Sequence, residues 1–216
     1  MGKSLLIAGK NSKLLDELVR EARAVGYEVT ATLDDQVEDR ADYEGELRWV
    51  RWRRRSPLSA RTVVLQAAGV GGGIDEAIVL QSPDAAREPL HELQSATLEQ
   101  AVDGSVKGPL FMLRELMGHF QKRGGGGGLS LVLYRPDGEV TAPLDACTAG
   151  SFEGIASGLF TYYRNEAVTI RGFSASEPEP AEFAAYIIGI LAEGKGGGKW
   201  NRFSSRGGLF SRTRLR

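Results

Sequence analysis

The sequence predicts an α/β domain in which a doubly wound, mostly parallel sheet of about seven strands lies between two layers of helices. Three observations carry this expectation. Short apolar runs alternate with longer stretches of helical periodicity along most of the chain. The glycine runs read as turns between elements rather than linkers, and no internal repeat is evident. A chain of 216 residues with 42% hydrophobic content is one ordinary domain with room for a large core. That domain is set at residues 1–206, followed by a basic tail at 207–216.

The first strand is read at residues 5–8. Leu14, Leu15, Leu18, Val19, Ala22 and Val25 then share one helical face, and Gly26 stops that helix before a second strand at 28–32. Residues 34–43 give at most a short helix, and 47–52 give the third strand. Ser56 and Pro57 read as N-cap and first residue of a helix that ends in the glycine cluster at 69–73. The fourth strand is placed at 76–81. A long amphipathic helix at about 97–122 carries Leu98, Val102, Val106, Leu110, Leu113, Leu116, Met117 and Phe120, and the glycines at 124–128 end it. A strand at 129–133, a helix at about 147–164, a strand at 168–173, a helix at 181–191 and a strand near 200–204 complete the pattern.

A formal net charge of −1 argues against an electrostatic nucleic-acid binder. No apolar run approaches the roughly 20 residues of a membrane span, so a soluble, cytoplasmic protein is expected. The N-terminal Met1-Gly2-Lys3-Ser4-Leu5-Leu6 lacks the Ser or Thr that myristoylation needs where Leu6 stands, and lacks the upstream glycine of a phosphate loop. Cys147, alone, cannot form an intrachain disulfide and reads as a small buried residue. His91 and His119 have no ligand-spaced Cys, Asp or Glu companions, so they read as surface residues and no metal site is expected.

The stretch from Asp145 to Phe160 combines small residues, a Glu153-Gly154-Ile155 step and an apolar face. Gly73-Ile74-Asp75 leads into the fourth strand, and Ser105-Val106-Lys107-Gly108 follows on the long helix. In this element order and these connecting motifs the chain resembles the short-chain dehydrogenases/reductases over nearly its whole length. The earlier Leu65-Gln66-Ala67-Ala68-Gly69 imitates the family's fourth-strand motif but stands too far from Ser105-Val106-Lys107-Gly108 to be it. The resemblance implies a Rossmann-like fold and a dinucleotide at the carboxyl ends of the strands.

The positions that would hold that dinucleotide have changed. Where the family has a turn with three glycines, this chain has Ala8-Gly9-Lys10-Asn11-Ser12-Lys13-Leu14-Leu15, with only Gly9 retained and Asn11 or Ser12 as helix cap. Lys10, Asn11 and Ser12 still offer donors to an anion at the helix N-terminus. Asp34 lies near the ribose selector position, and the family's adenine-contacting Asp is replaced within the run Arg51-Trp52-Arg53-Arg54-Arg55, which reads as a basic corner partly balanced by Asp34, Asp35, Glu38 and Asp39. The family's Asn-Ala-Gly falls on Gln81-Ser82-Pro83.

The catalytic set implied by the resemblance is absent as well. Asp145 stands where the family's Tyr donates a proton, and Ala149 where its Lys lowers that Tyr's pKa. Ser105 stands at the water-relay Asn, and Tyr134 lies near the substrate-positioning Ser. Loss at all of these positions, with the core pattern retained, leads to the expectation of a non-catalytic binding or assembly module with no cofactor assigned. It would associate through the helices at 97–122 and 147–164, where Gly150, Gly154 and Gly158 either admit a partner helix or pack on the protein's own sheet. Two alternatives stand beside it: a divergent NAD(P)-dependent oxidoreductase, and a module for another phosphate-bearing ligand held by Lys10, Asn11, Ser12 and Arg53. The tail at 207–216 either docks on a neighbouring subunit or stays mobile.

Overall fold

The computed structural model describes residues 2–34, 47–69, 72–82, 88–124, 126–136 and 142–204. The expectations for a short helix within 34–43, the acids at 35, 38 and 39, and the tail at 207–216 lie outside those residues. Seven strands form one sheet: β1 Ser4–Ala8, β2 Glu28–Leu33, β3 Leu47–Arg51, β4 Glu76–Gln81, β5 Gly127–Arg135, β6 Val168–Ser176 and β7 Trp200–Phe203. The order is β3-β2-β1-β4-β5-β6-β7, and each neighbouring pair is parallel. The helices are α1 Lys13–Ala24, α2 Pro57–Ala68, α3 Ser95–Val102, α4 Gly108–Arg123, α5 Pro143–Tyr162 and α6 Pro180–Glu193.

Strand residues alternate between two apolar cores, as a sheet covered on both faces requires. Leu5, Ile7, Val29, Ile78 and Val132 face α1 and α6, where Leu14, Leu18, Phe183 and Ile187 are fully buried. Leu6, Ala8, Val79, Leu131 and Leu133 face α2, α4 and α5, meeting Val63, Leu116, Phe120 and Phe152. The helix starts follow their caps. Ser12 accepts from the Leu15 N–H at 3.2 Å, and Ser56 accepts from the Ser59 N–H at 3.2 Å just before Pro57. Gly26 leaves α1 with a φ of 87°, a conformation open to glycine at little cost.

Four readings are corrected by the structure. The helix read at 97–122 is interrupted by a π-helical turn, Asp103–Lys107. Pro109 has no N–H to give, and within a regular α-helix its ring would meet the Ser105 carbonyl. The wider turn avoids that clash, with the Gly108 N–H donating to the Asp103 carbonyl. It also rotates the apolar face, leaving Val102 and Leu110 exposed although the periodicity had placed them inward. The strand read at 129–133 runs from Gly127 to Arg135, paired with β6 along that length and with β4 from Gly128, and glycine is needed at its start because the Phe120 ring and the Glu76 carboxylate occupy the space that Cβ atoms at Gly127 and Gly128 would fill. The helix read at 147–164 begins at Pro143, and Cys147 is exposed on it rather than buried. His119 is no free surface residue: its Nε2 accepts from the Ile74 N–H at 3.2 Å and its ring packs edge-on to Phe120, with burial lowering its pKa. His91 is exposed, as read.

Candidate functional site

The strand order reverses between β1 and β4, so the loops leaving these two strands part and open a crevice at the carboxyl edge of the sheet. The turn after β1 borders it. Gly9 is tied to β2 by Thr32, whose Oγ1 accepts from the Gly9 N–H at 2.9 Å and donates to the Gly9 carbonyl at 3.0 Å. A Cβ on Gly9 would stand 2.8 Å from Leu80 Cβ, so this glycine is demanded by packing against β4. The Asn11 N–H donates to Asp34 Oδ2 at 3.2 Å, and Ser12 is spent as the α1 cap.

Those bonds decide how well the turn suits a dinucleotide pyrophosphate. The Gly9 and Asn11 N–H groups donate to Thr32 and Asp34, and Leu15 is fully buried in the core beneath α1. Two of the backbone donors that a Gly-rich turn offers to phosphate, those of Gly9 and Asn11, are thus committed to the protein itself, and a leucine side chain stands where the family has a glycine.

The far wall of the crevice is built by the turn after β3. Val50 and Trp52 point inward, and continuing their alternation places Arg54 inward while Arg51, Arg53 and Arg55 are exposed. Arg54 is 7% exposed. Its guanidinium lies 4.8 Å over the Trp52 ring. Its Nε donates to the Gly104 carbonyl at 3.0 Å and its Nη2 to Gln81 Oε1 at 2.8 Å. The Gly104 carbonyl is available because of the π turn: the Gly108 N–H serves Asp103, and Pro109 has none. The third nitrogen, Nη1, is buried with no hydrogen-bond partner among the described residues. A buried polar group left so costs about 1–3 kcal/mol, and more when charged. Burial lowers the Arg54 pKa to about 10, against an opposing pull from Asp34.

Lys10 stands within the field of this guanidinium. Burial and then Arg54 lower its pKa to about 8, while Asp34 and Asp145 act in the opposite sense. Asp145 enters from the first turn of α5, where a carboxylate suits the helix dipole, and is 6% exposed. Thus the fold gathers Lys10, Asn11, Asp34 and Asp145 around the crevice, with buried Ser105 in the π turn beside Gly104.

It does not gather the others. Arg53 is exposed and its backbone N–H donates to Ser59 Oγ at 2.9 Å, so the buried cation of this run is its neighbour. Tyr134 is buried in the core facing α1 and α6, the opposite side of the sheet from α5, because it follows inward-facing Leu133 by one residue. Ala149 is part of the apolar core beneath α5. Gly150, Gly154 and Gly158 are exposed on α5, with nothing among the described residues within 4 Å of a Cβ placed there. A separate cavity of about 280 Å³ lies at the far end of α5, lined by Phe160, Tyr163 and Val168, and does not join the crevice.

This topology places the molecule among solved structures. At 14% identity, a short-chain dehydrogenase/reductase of Serratia marcescens superposes with a TM-score of 0.78 over 94% of this chain and 96% of its own. A short-chain dehydrogenase of Mycobacterium smegmatis gives 0.78 at 16% identity, covering 95% and 92%. The 3-ketoacyl-(acyl-carrier-protein) reductase of Brucella melitensis, solved with NADH, gives 0.76 at 13% identity, covering 93% and 96%. The chain has the short-chain dehydrogenase/reductase fold. No family model matches the sequence, and no curated protein does. Among the described residues no helix is long and apolar enough to cross a membrane, and no cluster of metal-ligating side chains occurs.

Proposed function

We propose that this protein is a divergent member of the short-chain dehydrogenase/reductase family that works as a non-catalytic binding or assembly module. The observation that carries this reading is the crevice itself. Where a reductase needs a proton donor and a neighbouring amine, the matched residues are Asp145, buried within the field of Lys10, and Ala149, packed into the core. Neither side chain supplies the phenol and ammonium of that pair: Asp145 offers a carboxyl in place of a Tyr hydroxyl, and an alanine holds no proton. The turn donors that would take a pyrophosphate serve Thr32 and Asp34. The module is one domain over residues 1–206 and acts in the cytoplasm without nucleic acid or membrane. The open glycine face of α5 supports association through α4 and α5.

The competing reading is a divergent NAD(P)-dependent oxidoreductase, which draws on the fold and on the Brucella reductase solved with NADH. Thermal shift and calorimetric titration with NAD⁺, NADH, NADP⁺ and NADPH separate the two. The proposal expects no binding at millimolar cofactor and no consumption of NADPH or NADH with carbonyl substrates. Saturable cofactor binding accompanied by turnover would overturn it in favour of the enzyme.

A further inference from the structure

The crevice occupies the carboxyl edge of the sheet, and the cavity of about 280 Å³ lies at the amino edge, between the last turn of α5, the start of β6 and the glycine turn before β7. We propose that this cavity binds a small aromatic carboxylic acid, a ligand of one ring with a short acidic arm. It stands apart from the crevice and goes beyond the role proposed above.

The first support is the make-up of the walls. Phe160 lines the cavity and packs edge-on against Trp200 with ring centroids 6.0 Å apart, and Tyr163 lines it and packs edge-on against Tyr162 at 5.0 Å. Val168 and Ile170 of β6, both buried, add apolar surface. The remaining wall is bare backbone, because the turn before β7 reads Gly196-Gly197-Gly198. Gly196 and Gly198 have φ of 82° and 75°, which glycine adopts at little cost, and the Gly198 N–H donates to the Ile170 carbonyl at 2.7 Å. Gly197 has no such backbone demand. A Cβ there would stand 3.0 Å from Thr169 Cγ2, so its glycine keeps open the gap between the turn and β6.

Size and charge then narrow the ligand. At about 30 Å³ per water the space equals about nine waters, which one ring with a short arm fills. Aromatic walls favour a flat ring through edge and face contacts beyond the area they bury. Two charged residues, Arg164 and Glu166, line the cavity. Glu166 accepts from Gln121 Nε2 of α4 at 3.2 Å, whereas Arg164 is exposed and makes no hydrogen bond or ion pair among the described residues. The uncommitted charge is therefore a guanidinium, whose planar fork matches a carboxylate. An apolar concavity with one such polar group is the usual form of a small-molecule site.

The test is isothermal titration of the intact protein with benzoate, phenylacetate, cyclohexanecarboxylate and benzyl alcohol at constant ionic strength. The site predicts saturable binding of benzoate or phenylacetate below about ten millimolar. Cyclohexanecarboxylate, which keeps the charge and lacks the flat ring, binds about threefold or more weaker. Arg164→Gln weakens the aromatic acid by about threefold and leaves benzyl alcohol unchanged, as one exposed charge contact requires. Gly197→Leu places a side chain in the cavity without backbone strain and weakens every ligand by about tenfold or more. If that variant fails to fold, the acid-to-alcohol ratio in Arg164→Gln carries the test. No heat from either aromatic acid at about ten millimolar, binding unchanged in folded Gly197→Leu, or a ratio unmoved by Arg164→Gln overturns the site. A dimer by light scattering that Gly197→Leu makes monomeric, with neither acid bound, assigns the cavity to a second copy of the chain and also overturns it. The nicotinamide titrations bear on the crevice alone.

Discussion

Replacing Gly128 by alanine tests the packing logic of the sheet at one atom. Gly128 lies on β5 directly between Glu76 of β4 and Thr169 of β6. The Glu76 carboxylate passes over it to meet Arg171 of β6, with Oε2 3.0 Å from Nη1 and side chains only 10% and 3% exposed. A Cβ on Gly128 would stand 1.6 Å from Glu76 Oε2, 2.2 Å from Cδ and 2.5 Å from Oε1, so the whole carboxylate must leave. Arg171 then keeps its bond to the Lys195 carbonyl but loses its charge partner. Breaking a buried ion pair costs about 3–5 kcal/mol, and alanine returns roughly 0.5–1 through lower chain entropy, for a net loss of about 2–4 kcal/mol. That is a large share of the roughly 5–15 kcal/mol that holds a domain together. In urea, with an m-value of about 2 kcal/mol/M, the midpoint falls by about 1–2 M. Glu76→Ala alone should cost a similar amount, and adding Gly128→Ala to it should cost little more, since both break the same pair. A loss below about 0.5 kcal/mol for Gly128→Ala, or full additivity of the two changes, refutes the reasoning.

Thr32→Val removes both bonds to Gly9 and strands a buried N–H, so unfolding free energy should fall by about 1–3 kcal/mol in a urea titration. Lys10 has a folded pKa of about 8 against an ordinary 10.5, so between those values the unfolded chain holds a proton that the folded chain has released. Stability should rise with pH across that window, and Lys10→Met should flatten the rise in melting temperatures measured from pH 7.5 to 10.5. Burial pushes the Asp75 carboxyl up, but bonds from the Ser4 N–H and Arg123 outweigh it and hold the pKa below its ordinary value. Its contribution is therefore complete above the ordinary carboxylate value and is lost as pH falls through the folded one. Asp75→Asn should lower stability at pH 7 and shrink the loss between pH 5 and 2, as followed by circular dichroism.

The fold was legible because its signals are local and repeated. Apolar runs, the cap at Ser56 with Pro57, and the stops at Gly26 and Gly124 each report on a few neighbouring residues, and each element they delimit is present. What escaped depended on distant atoms. The need for glycine at Gly127 and Gly128, where β5 starts, comes from the Phe120 ring and the Glu76 carboxylate, neither adjacent in sequence. Cys147 was read as buried from its residue type alone; α5 opens at Pro143, one turn earlier than read, and carries the cysteine on its exposed side. Pro109 was a visible warning within the long helix, and its consequence was a wider turn rather than a break.

The crevice shows why a site is harder to read than a fold. In the run Arg51 to Arg55 every basic residue has the same composition-level meaning, a solvated corner, and nothing in that meaning separates Arg53, taken as the ligand contact, from Arg54. The physical signal lay in the period of two: Val50 and Trp52 face inward, so Arg54 does too. That alternation predicts the burial but not its tolerance, because a buried guanidinium needs acceptors. Those come from Gln81 at the end of β4 and from a carbonyl that a proline 55 residues further along the chain has left without a partner. A charge is admitted to this interior only where three separate elements agree, and the one nitrogen on which they do not agree, Nη1, is left buried without a hydrogen-bond partner among the described residues.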